Sequence, residues 1–197
     1  MRKTLDRLIS WTGFILAAVL LVAGGLMSYA SNFVANNVSE QLTQQNITMP
    51  PAAALTTPEM KANLGQYSGQ QMTTGAQAKA YADHFILVHM NESSGGKTYS
   101  EISTEAGALA KDPGADPAKV AELNGLKQSL FMGSTLRGLL LNAYAFGTMG
   151  VIAGFAAIGA YIGGILFLIL GFLGLRHAKQ VDEERTTSVR TPERVNA

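Results

Sequence analysis

The sequence contains no cysteine, which excludes disulfides and thiolate chemistry and leaves any domain outside the cytoplasm to be held by packing alone. Charge is scarce as well. Asp, Glu, Lys and Arg make up 15% of the 197 residues, well below the usual quarter, and two long stretches carry none. The formal net charge of +1 supplies no basic stripe of the kind nucleic acid requires.

What the chain does have is two uncharged apolar runs. The first, Leu8 to Tyr29, is interrupted only by Ser10, Thr12 and Ser28 among polar types. As a helix its 22 residues reach about 33 Å, enough for a hydrocarbon core of about 30 Å. Trp11 and Tyr29 sit near its ends, where amphipathic rings anchor at the headgroup level. Ser28-Tyr29-Ala30 has the small-x-small form of a signal-peptide cleavage site. The apolar part of a signal peptide spans only about 7–15 residues, so the run predicts a retained anchor.

The second run, Gly138 to Leu175, is 38 residues long. One straight helix of that length extends about 57 Å, too long for one crossing, whereas two crossings need about 40 residues plus a turn. The expectation is therefore one span, centred near Ala153 to Leu173 and entered by an apolar helix that starts outside the membrane. The surplus turns from Leu139 to Phe146, Asn142 among them, then need cover from interfacial lipid, the chain's own outer domain or a partner subunit.

Lys and Arg set the orientation. Arg2, Lys3 and Arg7 precede the first run, and Arg176, Lys179 and Arg185 follow the second. Between the runs, no Lys or Arg occurs from Ser31 to Met60, and only Arg137 lies close to the second run. Both termini are expected in the cytoplasm, in a two-pass plasma-membrane protein. Trp11, Tyr29, Arg137 and Arg176 are the interfacial anchors.

The division predicted is a cytoplasmic N-terminus (1–7), a first transmembrane helix (8–30), an extracytoplasmic helical domain (31–137), a juxtamembrane segment with the second transmembrane helix (138–175) and a cytoplasmic tail (176–197). The fold class is all-α: two transmembrane helices flanking a helical bundle. In the bundle, Asn32 to Gln45 continues the first span, with Phe33, Val34, Val38 and Leu42 along one side, until Met49-Pro50-Pro51 breaks it. Thr57-Pro58 opens a short helix that Gly65 closes. A longer helix runs from near Thr74 to about Glu92, placing Ala78, Tyr81, Ala82, Phe85 and Val88 on one face. Thr98 and Glu101 fit a capping box, Lys111-Asp112-Pro113-Gly114 ends that helix, and Asp116-Pro117 starts the last one. Gly133-Ser134-Thr135 marks a possible bend. After Lys179 the tail is polar: Asp182 to Arg185 can prolong the helix by a turn or two, and the rest, with Thr186, Thr187, Ser188 and Thr191 among arginines, is expected to be disordered.

Candidate chemistry is thin. Gly95-Gly96-Lys97-Thr98 resembles the end of a phosphate-binding loop. That loop also needs a glycine where Asn91 stands and a strand before it, so an exposed turn is the better reading. His84 and His89 are five apart, about 140° around a helix, which is wrong for joint metal ligation. On a uniform helical wheel His89 falls on the apolar face and His84 on the polar one. The spans hold no Asp, Glu, Lys, Arg or His, which argues against a proton-coupled carrier or pump. Small-xxx-small spacings that let helices approach occur at Gly13 and Ala17, at Gly150 and Gly154, and at Gly159 and Gly163. They suit either packing of the two spans in one chain, or self-association and docking on a larger membrane complex.

The segments Met1 to Asp6, Gln70 to Ala82 and Thr135 to Tyr144 resemble a group of uncharacterised two-span membrane proteins of actinobacteria, some labelled aromatic ring-opening dioxygenase. That label implies an iron site of two histidines and a carboxylate, which the spacing of His84 and His89 does not supply. The leading expectation is therefore a non-catalytic membrane protein, an accessory, scaffold or sensing subunit with the lipid bilayer, and a second copy or a larger complex, as partners. No cofactor, metal or nucleic acid is expected. The tail of about 22 residues is too short for a signalling domain, so any signal would pass to a partner. The alternatives are an oligomeric pore or transport component and, behind it, an extracytoplasmic metal-dependent enzyme using His84 or His89.

Overall fold

The computed structural model describes residues 2–190, with side chains for residues 4–180. Among these residues every regular element is helical, and extended chain pairs at a single isolated bridge between Thr48 and Gln71. Two helices dominate: α1, Arg2–Gln44, and α6, Pro117–Arg190. Each contains a stretch long and apolar enough to cross a membrane, Thr4–Gln44 and Pro117–Gln180. Four shorter helices lie between them: α2 (Pro58–Leu64), α3 (Gly75–Tyr81), α4 (Leu87–Ser94) and α5 (Tyr99–Leu109).

The chain divides into two compact units, a helical domain of Phe33–Val151 and a unit of Met1–Asn32 with Ile152–Ala197. Residues 138–151 thus belong to the helical domain rather than to the segment that follows it. α6 runs unbroken through Gly133-Ser134-Thr135, where Met90 lies against Gly133. It continues to Arg190, farther than the turn or two expected of Asp182 to Arg185. The side chains of Thr186, Thr187 and Ser188, and Thr191 altogether, lie outside the described residues.

Local signals account for the short helices. α1 stops where Asn46 takes a left-handed conformation (φ +52°), a role asparagine fills at helix ends. The next residues pair with a returning strand of chain: Met49 N–H donates to the Gln70 carbonyl at 2.8 Å, and Met72 N–H to the Ile47 carbonyl at 2.9 Å. That pairing drives Met49 and Met72 into the core, where with Met60 and Leu64 they are fully buried. Thioether chains fill irregular gaps between short elements, and this core is built of them, together with Val38 and Leu42 of α1 and Leu140 of α6.

Thr57 caps α2, accepting from Met60 N–H, with Pro58 at the first position. Thr98 and Glu101 form the expected capping box on α5. α3 has a second one, in which Thr74 accepts from Gln77 N–H and Gln77 Oε1 accepts from Thr74 N–H at 3.1 Å. Such caps contribute about 1 kcal/mol each. Gly95, left-handed at φ +63°, ends α4.

Between α3 and α4 the helix does not stop but widens into a π-helical stretch, Ala82–Ile86. This corrects the histidine placement. A uniform wheel fails where a wider turn is inserted. His84 is half-buried, with Nδ1 2.9 Å from Glu59 Oε1. His89 is the exposed one, its Nδ1 2.8 Å from the Phe85 carbonyl and its ring 4.4 Å from the Phe85 ring.

Candidate functional site

The first candidate is the seam of the helix pair, where α1 and α6 meet in antiparallel order. A Cβ added at Gly174 would strike Ser10, and one at Gly171 would lie 3.0 Å from the Phe14 ring. At Gly164 it would lie 3.0 Å from Leu21 and 3.4 Å from the Ala17 carbonyl, at Gly24 3.0 Å from the Tyr161 ring, and at Gly154 3.0 Å from Ser31. Ser28 Oγ and Tyr161 Oη lie 3.2 Å apart across the same seam.

The buried positions repeat by seven. They are Ser10, Ala17 and Gly24 on α1, and Ala157, Gly164, Gly171 and Ala178 on α6, with Gly13 the one buried position of this unit outside the repeat among the described residues. A seven-residue repeat keeps one face toward a partner along a supercoiled pair, and small side chains there bring the backbones close.

Of the residues singled out by period four, a Cβ added at Gly13 would lie 3.6 Å from the Phe167 carbonyl and one at Gly163 3.3 Å from Leu20, Ala17 is buried, and Gly154 faces Ser31. Gly150 is buried, within the helical domain. Gly159 faces open space and takes no part in the seam. Gly24, Gly164, Gly171 and Gly174 were missed, and a search at period seven would have found most of them.

The outward face of this unit reverses the usual order of a protein surface. Leu8, Ile15, Val19, Val22 and Leu26 of α1 are more than half exposed, as are Phe155, Ile158, Ile162, Leu170 and Phe172 of α6. Small residues are inside and large apolar ones outside. Trp11, Tyr29 and Arg176 are also exposed.

The second candidate lies wholly within the helical domain. Between the C-terminal part of α1 and residues 136–146 of α6 runs a groove of about 510 Å³. Val38, Leu42 and Leu140 form its buried floor, while Phe33, Leu139 and Phe146 stand at its exposed edges. Its polar lining consists of four carboxamides, Asn37, Gln41, Gln45 and Asn142, and no charged residue lines it. The surplus turns from Leu139 to Phe146 are thus covered on one side only, with Leu140 buried and Asn142 exposed.

The third is a charged cluster on the π-helical stretch. Asp83 pairs with Lys79 and, at 2.8 Å, with Arg137. Burial pushes the Asp83 carboxyl up, but the hydrogen bonds and charges of Lys79 and Arg137 outweigh it and hold the group below its ordinary value. Arg137 Nε is buried without a hydrogen-bond partner, and Lys79 Nζ lies 5.5 Å from the centre of the Tyr144 ring. Arg137, expected as an interfacial anchor, is thereby tied to the domain's own interior.

His84 and His89 are engaged separately, and among the described residues no group of three or more His, Cys, Asp or Glu could hold a metal ion. At the Gly95-Gly96 turn, Lys97 pairs with Glu105 at 2.8 Å, and Thr98 caps α5. No family model, curated protein or solved structure matches the chain.

Proposed function

We propose that this chain is a non-catalytic integral membrane protein. On this reading it crosses the plasma membrane twice, keeps both ends in the cytoplasm and holds its helical domain on the outer side as an accessory or sensing subunit of a membrane assembly. One observation carries it: the inside-out helix pair. In water, an exposed face of Leu, Ile, Val and Phe along both helices would be buried and the glycines would be left outside. In hydrocarbon there is no gain in hiding large apolar side chains, and close approach of small residues drives association instead. The distribution of Arg2, Lys3, Arg7, Arg176 and Lys179 favours the orientation. The non-catalytic part rests on the separate engagement of His84 with Glu59 and of His89 with Phe85, and on the pairing of Asp83 with two cations.

The natural absence of cysteine makes the topology directly testable. Ser100→Cys, on the exposed start of α5, should react with a membrane-impermeant maleimide in intact cells. Lys179→Cys should react only after permeabilisation. Labelling of Lys179→Cys in intact cells, or release of the protein from membranes by alkaline carbonate, would overturn the reading. Crosslinking in native membranes tests the accessory role, which predicts a stable partner; a protein that stays alone would count against it.

A further inference from the structure

We propose that the groove of the helical domain binds one hydrocarbon chain of a bilayer lipid, drawn out of the membrane, with the neutral carboxamides along its rim meeting the lipid's ester linkage. The inference rests on the two-pass reading above and adds a ligand to it.

The dimensions argue for a single chain. From Phe33 to Gln44 the groove follows α1 for about 17 Å at 1.5 Å per residue. Along that length its volume of about 510 Å³ forms an elongated apolar trough, the shape an extended hydrocarbon chain fills, and it falls within the range of about 300–1,000 Å³ usual for small-ligand sites.

The chemistry argues for a lipid with no charge requirement. The floor is aliphatic and the lining carries no charge. A headgroup phosphate or ammonium would find no counter-ion in the lining, and an uncompensated charge there is costly. The amides suit ester groups. Asn37 and Gln41 lie one turn apart on α1, where Gln41 Nε2 donates to Asn37 Oδ1 at 2.7 Å, and Gln45 follows just past the end of the helix. A carboxamide both donates and accepts, and can serve carbonyl oxygens without demanding ionisation.

Position in the chain supplies the route. Phe33, exposed at one lip, comes four residues after Tyr29, and Phe146, at the other, comes seven before Ala153. Both lips therefore adjoin, in sequence, the runs read as membrane spans. A chain leaving the bilayer would meet Phe33, Leu139 and Phe146, which are 57%, 61% and 57% exposed.

The test uses full-length protein in phosphatidylcholine vesicles with a trace of phosphatidylcholine bearing a diazirine at the end of one acyl chain. A parallel set uses phosphatidylglycerol. After irradiation, adducts are mapped by mass spectrometry. A tail-end label that stays in the bilayer core reacts only with residues 8–29 and 153–173. The proposal predicts additional adducts within 33–47 and 136–146, equal for the two headgroups within about twofold. It also predicts that these fall at least fivefold in Leu139→Glu, an exposed position, and in Ala143→Trp, which fills the groove, with the span adducts unchanged in both. Adducts confined to the spans overturn the groove and leave the two-pass reading standing. Adducts in neither region overturn both. Near-complete disulfide crosslinking of Leu139→Cys between copies would assign the groove to a dimer and also overturn the proposal.

Discussion

Among the glycines of the helical domain, Gly75, the first residue of α3, is the one where an added Cβ would come closest to backbone, and it sets up a comparison of sign. A Cβ built there would stand 2.9 Å from Tyr144 Cα and 3.0 Å from the Ala143 carbonyl, and one built at Gly147 would stand 3.6 Å from Gly75 Cα. Ordinary contact begins near 3.4 Å, and both obstacles are backbone, so no rotamer change relieves them. Gly75→Ala therefore forces α3 to back away from α6 by about half an ångström, and overpacking of this kind costs about 1–3 kcal/mol. Alanine recovers about 0.4–1 kcal/mol by restricting the unfolded chain, leaving a net loss of up to about 2.6 kcal/mol. Gly107 is the control, exposed in the interior of α5 with nothing within 4 Å of its added Cβ. There the same substitution should gain about 0.5–1 kcal/mol. For a domain of this size 1 kcal/mol corresponds to about 4 °C. Gly75→Ala should lower the midpoint of unfolding by up to about 10 °C, and Gly107→Ala should raise it by about 2–4 °C. Proteolytic cleavage between α2 and α5 during heating in detergent reports this domain without interference from the long helices. Gly75→Ala shifting the midpoint in the same direction as Gly107→Ala would refute the close approach of α3 to α6.

Two further outcomes follow from the described contacts. Gly171→Leu, pointed at Phe14, should destabilise the helix pair by at least about 2 kcal/mol, while Gly159→Leu, facing open space, should be near neutral; equal effects on thermal stability in detergent would sink the seven-residue seam. The Asp83 and Glu101 carboxyls are both held below their ordinary values, Asp83 by Lys79 and Arg137 against its own burial, and Glu101 first by the backbone N–H of Thr98. Their folded pKa values lie below the unfolded ones, so the stability they supply is complete above about pH 4–5 and is lost as pH falls through the folded values. The helical domain should accordingly become easier to cleave below about pH 4, and Asp83→Asn should flatten that dependence; an unchanged acid profile in Asp83→Asn would show that the Lys79–Asp83–Arg137 cluster contributes nothing.

Elements fixed by neighbouring residues were legible in the sequence. Thr57 and Pro58, Thr98 and Glu101, and Gly95 each act through bonds to residues one turn away, and each was readable as a helix boundary. Contacts between distant parts of the chain were not. Arg137 reads as an interfacial cation, yet its partner is Asp83, 54 residues earlier. The π-helical stretch has no local signature, and it reversed the burial of His84 and His89. The seam falls between these cases: its glycines are visible, but a search for pairs four apart selects Gly159, which faces out, and passes over Gly171 and Gly174. The groove was legible only as a surplus of apolar turns, since its other wall comes from α1.

The seam also has a consequence for the order of synthesis. Ser10 and Gly174 face each other but are separated by about 160 residues of chain, which at about 5–20 residues per second take roughly 8–30 s to make. For that interval the glycine and alanine face of α1 exists without its counterpart. A nascent chain in this state presents a smooth, unfilled helix surface that any other small-faced helix could occupy. The second helix, when it arrives, must displace whatever is there, so how quickly it emerges bears directly on how faithfully the pair assembles.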